Sequence, residues 1–71
     1  MKMIESVKQG MDLVDTFKGE ASDFTLVVPD TLNDALGMNM AIITDRVLAR
    51  GWQPDGYTQR EGCRVYRYKY L

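Results

Sequence analysis

Apolar residues recur at intervals of three and four in the first part of the chain: Ile4, Val7, Met11, Val14 and Phe17. That spacing stacks them on one helical face. It predicts a helix over residues 2–18, with Glu5, Lys8, Asp12 and Asp15 turned toward water. Gly10 weakens this helix by about 1 kcal/mol relative to Ala, and Gly19 is a natural stop. Phe24, Thr25, Leu26, Val27 and Val28 follow, nearly all β-branched or aromatic, and predict a strand over 23–28. Its apolar residues fall on both faces, as in a central or doubly covered strand, and Pro29 ends it.

A second helical segment opens at Asp30 and Thr31. Thr31 with Asp34 three residues on reads as a capping box. Arg46 and Arg50 suit the negative end of the helix dipole, and Gly51 lies just past it. In an unbroken helix Leu32, Leu36, Met40, Ile43 and Val47 form one stripe, while Met38, Ile42 and Leu48 lie off it. Two solutions remain open. The helix breaks at Gly37 and its second half buries a different face, or it runs straight and offers Met38 and Ile42 to a second body.

Trp52 anchors the exit of this segment, and Pro54, Asp55 and Gly56 read as a turn. Residues 57–60 and 63–70 then read as a β-hairpin with Glu61 and Gly62 at its tip. On the second strand Arg64, Tyr66, Tyr68 and Tyr70 share one face, and Cys63, Val65, Arg67 and Lys69 share the other. The fold class is α+β: a small, three-stranded, mostly antiparallel sheet with helices on one face. At 71 residues the chain is one domain. A core this small supplies roughly 3–5 kcal/mol, so dimerisation is a natural supplement.

Charge changes the picture more than size does. The formal net charge of −1 hides an asymmetry. Residues 1–56 carry five cations against nine acids, a balance of −4, whereas residues 57–71 carry Arg60, Arg64, Arg67 and Lys69 against Glu61 alone, +3. A basic end either meets a polyanionic partner or is a strand solvated or paired with the acidic helices of the same chain. Tyr57, Tyr66, Tyr68 and Tyr70 are interleaved with these cations. Exposed, they would stack bases; buried, they are core with hydroxyls at the rim. With only two Phe and one Trp elsewhere, the buried reading is favoured, which sends the arginines to the wet face.

Catalytic chemistry is not visible. There is no His to serve as base or metal ligand. Ser6 and Ser22 lie in no nucleophile motif, and Cys63 has no His to activate it and reads as a structural thiol. Asp12 with Asp15, and Asp30 with Asp34, read as solvated positions or caps. No glycine-rich phosphate loop occurs. The expectation is a non-enzymatic binding module without cofactors. A single cysteine suits a reducing compartment, and the longest apolar run, Met40, Ala41, Ile42 and Ile43, is too short to cross a bilayer, so a cytoplasmic protein with no membrane partner is expected.

The order helix, strand, helix with a break point at Gly37, then hairpin resembles a winged helix-turn-helix domain. The stretch Leu32, Asn33, Asp34, Ala35, Leu36, Gly37, Met38, Asn39, Met40, Ala41, Ile42, Ile43 is similar to that superfamily's two helices joined at a Leu-Gly turn. Asn33 and Arg46 depart from the pattern, which has a small and an aliphatic residue there. The resemblance implies that the second helix buries Ile43, that Trp52 begins the first wing strand, and that Glu61 and Gly62 form the wing tip. Its recognition helix, 38–50, offers Asn39, Thr44, Asp45 and Arg46 but little positive charge at its start, where groove reading is done. Two functions follow. One is nucleic-acid binding with Arg60, Arg64, Arg67 and Lys69 on phosphates. The other is a protein-interaction module — homodimer, adaptor or small inhibitor — using Met38, Ile42 and Leu48, with five methionines supplying an adaptable surface.

Overall fold

The computed structural model describes residues 3–16 and 23–70. Helix α1 spans Val7–Asp15 and starts later than its apolar periodicity predicts. The reason is upstream. Met3 pairs in parallel with Val27, and the Ile4 N–H donates to the Val27 carbonyl at 3.0 Å, so these residues are extended. Ser6 then caps the helix, its Oγ accepting from the Gln9 N–H at 3.1 Å, while Gln9 Oε1 accepts from the Glu5 N–H. The expected continuation through Phe17 and Lys18 to a stop at Gly19 lies outside the described residues.

Strand β1, Phe24–Pro29, includes Pro29 as its last residue, paired with Cys63. The predicted long helix does not begin at Asp30. Asp30–Leu32 make a single 3-10 turn, and α2 spans Met38–Ala49. Neither open solution holds whole: the chain does break at Gly37, but no α-helix precedes it, and α2 buries Ile43 and Val47 of the original stripe while Met38 and Ile42 stay exposed. Gly37 is left-handed at φ 69°, a conformation that glycine takes without steric cost. Thr31 and Asp34 form no capping box. Asp34 instead caps α2, its two carboxylate oxygens accepting from the Met38 and Asn39 N–H groups at 3.0 Å each. Those two donors hold its carboxyl below the ordinary carboxylate range.

Strand β2 runs from Trp52 to Arg60, and β3 spans Cys63–Tyr70. Pro54, Asp55 and Gly56 are not a turn between elements but a bulge within β2. The register moves from Pro54 opposite Tyr68 to Tyr57 opposite Tyr66, leaving Asp55 and Gly56 against Arg67 alone. Gly56, at φ 80°, provides the kink. The sheet is antiparallel throughout, in the order β1-β3-β2. Both helices lie on one side of it, and the fold is α+β as predicted.

The core is Ile4, Val14, Leu26, Val28, Ile43, Val47, Trp52 and Tyr68. Gly10 has a positive role here. A Cβ at this position would lie 2.9 Å from Ile43 Cδ1 and 3.0 Å from Ile4 Cδ1, so its missing side chain lets α1 approach α2. The far ends of the helices are joined by Asp15, which accepts from Arg46 Nη1 at 2.8 and 3.0 Å and pairs with Arg50 Nη2 at 2.8 Å. Phe24 stacks on Tyr68 and meets Trp52 edge-on, both at 5.1 Å between ring centroids.

Candidate nucleic-acid interface

The period-two alternation of the strands sorts the predicted cations. Directly paired residues share a face, so the register places Phe24, Leu26 and Val28 of β1 with Arg64, Tyr66 and Tyr68 of β3, and with Trp52, Tyr57 and Gln59 of β2. This is the helix-side face. The other face carries Thr25 and Val27, then Cys63, Val65, Arg67 and Lys69, then Gln53, Thr58 and Arg60. No described helix packs on it.

Three of the four predicted cations therefore come together. Arg60, Arg67 and Lys69 are all exposed on the open face. The residues from Cys63, opposite Arg60, to Lys69 cover about 20 Å at ~3.4 Å per residue, and Arg67 and Lys69 stand about 7 Å apart. Arg67 Nη1 donates to Thr58 Oγ1 at 2.7 Å, which orients the guanidinium along the sheet. Among the described residues none of the three forms an ion pair; the pairs present are Lys8 with Asp12 and Asp15 with Arg46 and Arg50.

Arg64 is separated from the other three and points to the helix side. It is drawn into a polar cluster there: Nε donates to Gln59 Oε1 at 3.0 Å, Nη1 donates to the Tyr66 hydroxyl at 3.3 Å, and Cζ lies 4.7 Å above the Tyr57 ring. The Tyr66 hydroxyl in turn donates to Asn33 Oδ1 at 2.7 Å. The hydrogen bond to Tyr66 is the main cause that raises the Arg64 pKa above the usual arginine value.

All the described aromatics lie on the helix side. Tyr68 and Trp52 are buried, and Tyr66 packs against the core. Tyr57 and Tyr70 are half-exposed but engaged, Tyr57 under Arg64 and 5.2 Å from Tyr66, Tyr70 edge-on to Trp52 at 5.4 Å. Burial raises the Tyr68 pKa; its hydroxyl makes no well-formed hydrogen bond, and Thr44 nearby offsets the burial only in part.

The cationic face has acidic neighbours that the sequence reading did not connect with it. A cleft of about 270 Å³ is lined by Asp23, Phe24, Thr25, Asp55, Arg67 and Tyr68. The bulge brings Asp55 to Arg67, whereas an ordinary turn would have carried it off the sheet. Asp23 Oδ1 is engaged, accepting from the Tyr70 N–H at 3.1 Å.

The second predicted surface is also placed. Met38, Ile42 and Leu48 are 57%, 44% and 49% exposed along the outer side of α2, and Leu36 before it is 85% exposed. Ala41 and Ala49 are exposed on the same side, with Asp45 the one charge among them. Leu36 belongs to the apolar stripe only in an unbroken helix; because α2 begins at Met38, it falls outside that register. Arg46 and Arg50 are spent on Asp15, so the outer side of α2 carries no basic residue. No helix among the described residues is long and apolar enough to cross a membrane. Comparison of the chain with known protein families, curated proteins and solved structures finds no match in any of the three.

Proposed function

We propose that this protein is a nucleic-acid-binding module of the cytoplasm whose working surface is the open face of its sheet. The observation that carries this reading is the set Arg60, Arg67 and Lys69, exposed on one sheet face and in no ion pair among the described residues, with Asp55 the carboxylate nearest Arg67. Unpaired cations on an open surface specify their ligand's chemistry, a polyanion, more closely than an apolar patch specifies its own. A winged-helix reading would make β2 and β3 the wing, but the first of the two helices expected around Gly37 is only the turn Asp30–Leu32, so this reading rests on the strand order alone. A fluorescence-anisotropy titration with labelled nucleic acid at low salt tests the function. Binding that weakens steeply as salt rises is expected; absence of binding, or binding indifferent to salt, refutes it.

A second reading rests on the outer side of α2. Exposed Met38, Ile42 and Leu48, with Leu36 just before the helix, form an apolar surface on so small a chain. They support a protein-interaction role, as homodimer, adaptor or inhibitor. Sedimentation velocity tests the homodimer form, and a strict monomer across the accessible concentration range argues against it.

A further inference from the structure

Resting on the nucleic-acid reading, we infer that the open sheet face takes the phosphate backbone of a duplex and not a single strand. Single-strand binders combine a basic groove with accessible aromatic rings, and each stacked base contributes about 1–3 kcal/mol. Here the two ingredients are on opposite sides of one sheet. Arg60, Arg67 and Lys69 occupy the open face with Thr58 and Val65, while Phe24, Trp52, Tyr57, Tyr66, Tyr68 and Tyr70 occupy the helix side. A strand lying across the cations finds no ring to stack on among the described residues. Tyr57, the aromatic nearest the hairpin tip, already carries the Arg64 guanidinium over its ring.

What remains is recognition of charge. A duplex carries one negative charge per ~1.7 Å of axis, so the roughly 20 Å row of cations meets many phosphates whatever the sequence. Three phosphate contacts give a slope of log K against log salt of about −2.7 for a duplex and about −2.1 for a single strand. Referred to 1 M salt, that difference amounts to about tenfold in affinity at roughly 20 mM. With no stacking to compensate, the duplex keeps the whole advantage.

The test is anisotropy with the full chain and three labelled probes of one sequence, about 20 nucleotides or base pairs long: single-stranded DNA, duplex DNA and duplex RNA, at roughly 20 mM salt and upward. The expected result is that at least one duplex binds about tenfold tighter than the single strand, and the tighter of the two identifies the source of the backbone. A single strand that binds as well as or better than both duplexes overturns this inference and leaves the nucleic-acid reading standing. No binding to any probe overturns both. Tyr57→Leu provides an independent check. Duplex affinity is expected to stay within about twofold, since the ring lies off the cationic face, and a loss of about fivefold or more overturns the inference.

Discussion

Replacing Gly10 by Ala sets two effects of known sign against each other. In a helix interior Ala is favoured over Gly by about 0.5–1 kcal/mol. On this helix the new methyl would stand 2.9 Å from Ile43 Cδ1 and 3.0 Å from Ile4 Cδ1. Both isoleucines are buried, at 0% and 3% exposure, so neither methyl can swing into solvent. Forcing a methylene into a filled core costs about 1–3 kcal/mol. The net expectation is a destabilisation of about 1 kcal/mol, a drop in Tm of roughly 4–8 °C for a domain this size. Ile43→Val deletes the closest clashing methyl, at a cost of about 0.5–1.5 kcal/mol by itself. In the Gly10→Ala/Ile43→Val double variant that loss and the clash cancel in part, so the pair should be less destabilised than the sum of the singles by about 1 kcal/mol. Urea unfolding of the four proteins measures the cycle. A stabilised Gly10→Ala variant, or strict additivity, would refute the close approach of α1 to α2.

Three further outcomes follow from the same contacts. Asp15→Asn releases Arg46 and Arg50 from α1 and should lower stability by about 1 kcal/mol, a figure discounted because Arg46 and Asp15 are 39% and 30% exposed; thermal unfolding at low and high salt checks it, and the loss should shrink in salt. Asp34→Ala should fray the start of α2, read as faster hydrogen exchange at the Met38 and Asn39 amides. Because its folded pKa lies below the ordinary 3.8, the wild-type protection should be complete above that pH and fade as pH falls through the folded value, which unchanged exchange would contradict. Tyr68→Phe removes a buried hydroxyl that lacks a well-formed partner and should be neutral or slightly stabilising. The Tyr68 pKa is raised above 10.0, so the folded state holds its proton more tightly. Stability is full below that pH and is lost as pH rises through the folded pKa; the Phe variant should lack that alkaline loss in denaturant midpoints.

Much of the fold was legible in the sequence because it rests on periodicity. The alternation in β3 assigned the faces of Tyr66, Tyr68, Arg67 and Lys69, and the glycine at 37 marked a possible break. Features decided by register or by tertiary contact were not legible. Pro54, Asp55 and Gly56 have the composition of a turn, and only the pairing of β2 with β3 makes them a bulge that sets Asp55 beside Arg67. Ile4 has a core residue's chemistry but reaches the core from an extended segment. The Ser6 and Gln9 cap was written in the chain, yet the apolar periodicity ran through it. The cations of 57–71 read as one group because charge sums ignore faces; the same alternation that places Arg67 outward places Arg64 inward.

The central claim is that Arg60, Arg67 and Lys69, and not Arg64, form the working surface. Salt titrations of duplex binding for Arg67→Gln/Lys69→Gln and for Arg64→Gln, compared with the unaltered protein, test it most directly. The double variant should flatten the salt slope by about 1.8, two contacts at ~0.9 each, while Arg64→Gln leaves the slope unchanged. An Arg64→Gln variant that loses as much as the double variant, or a double variant that keeps the full slope, would contradict the account.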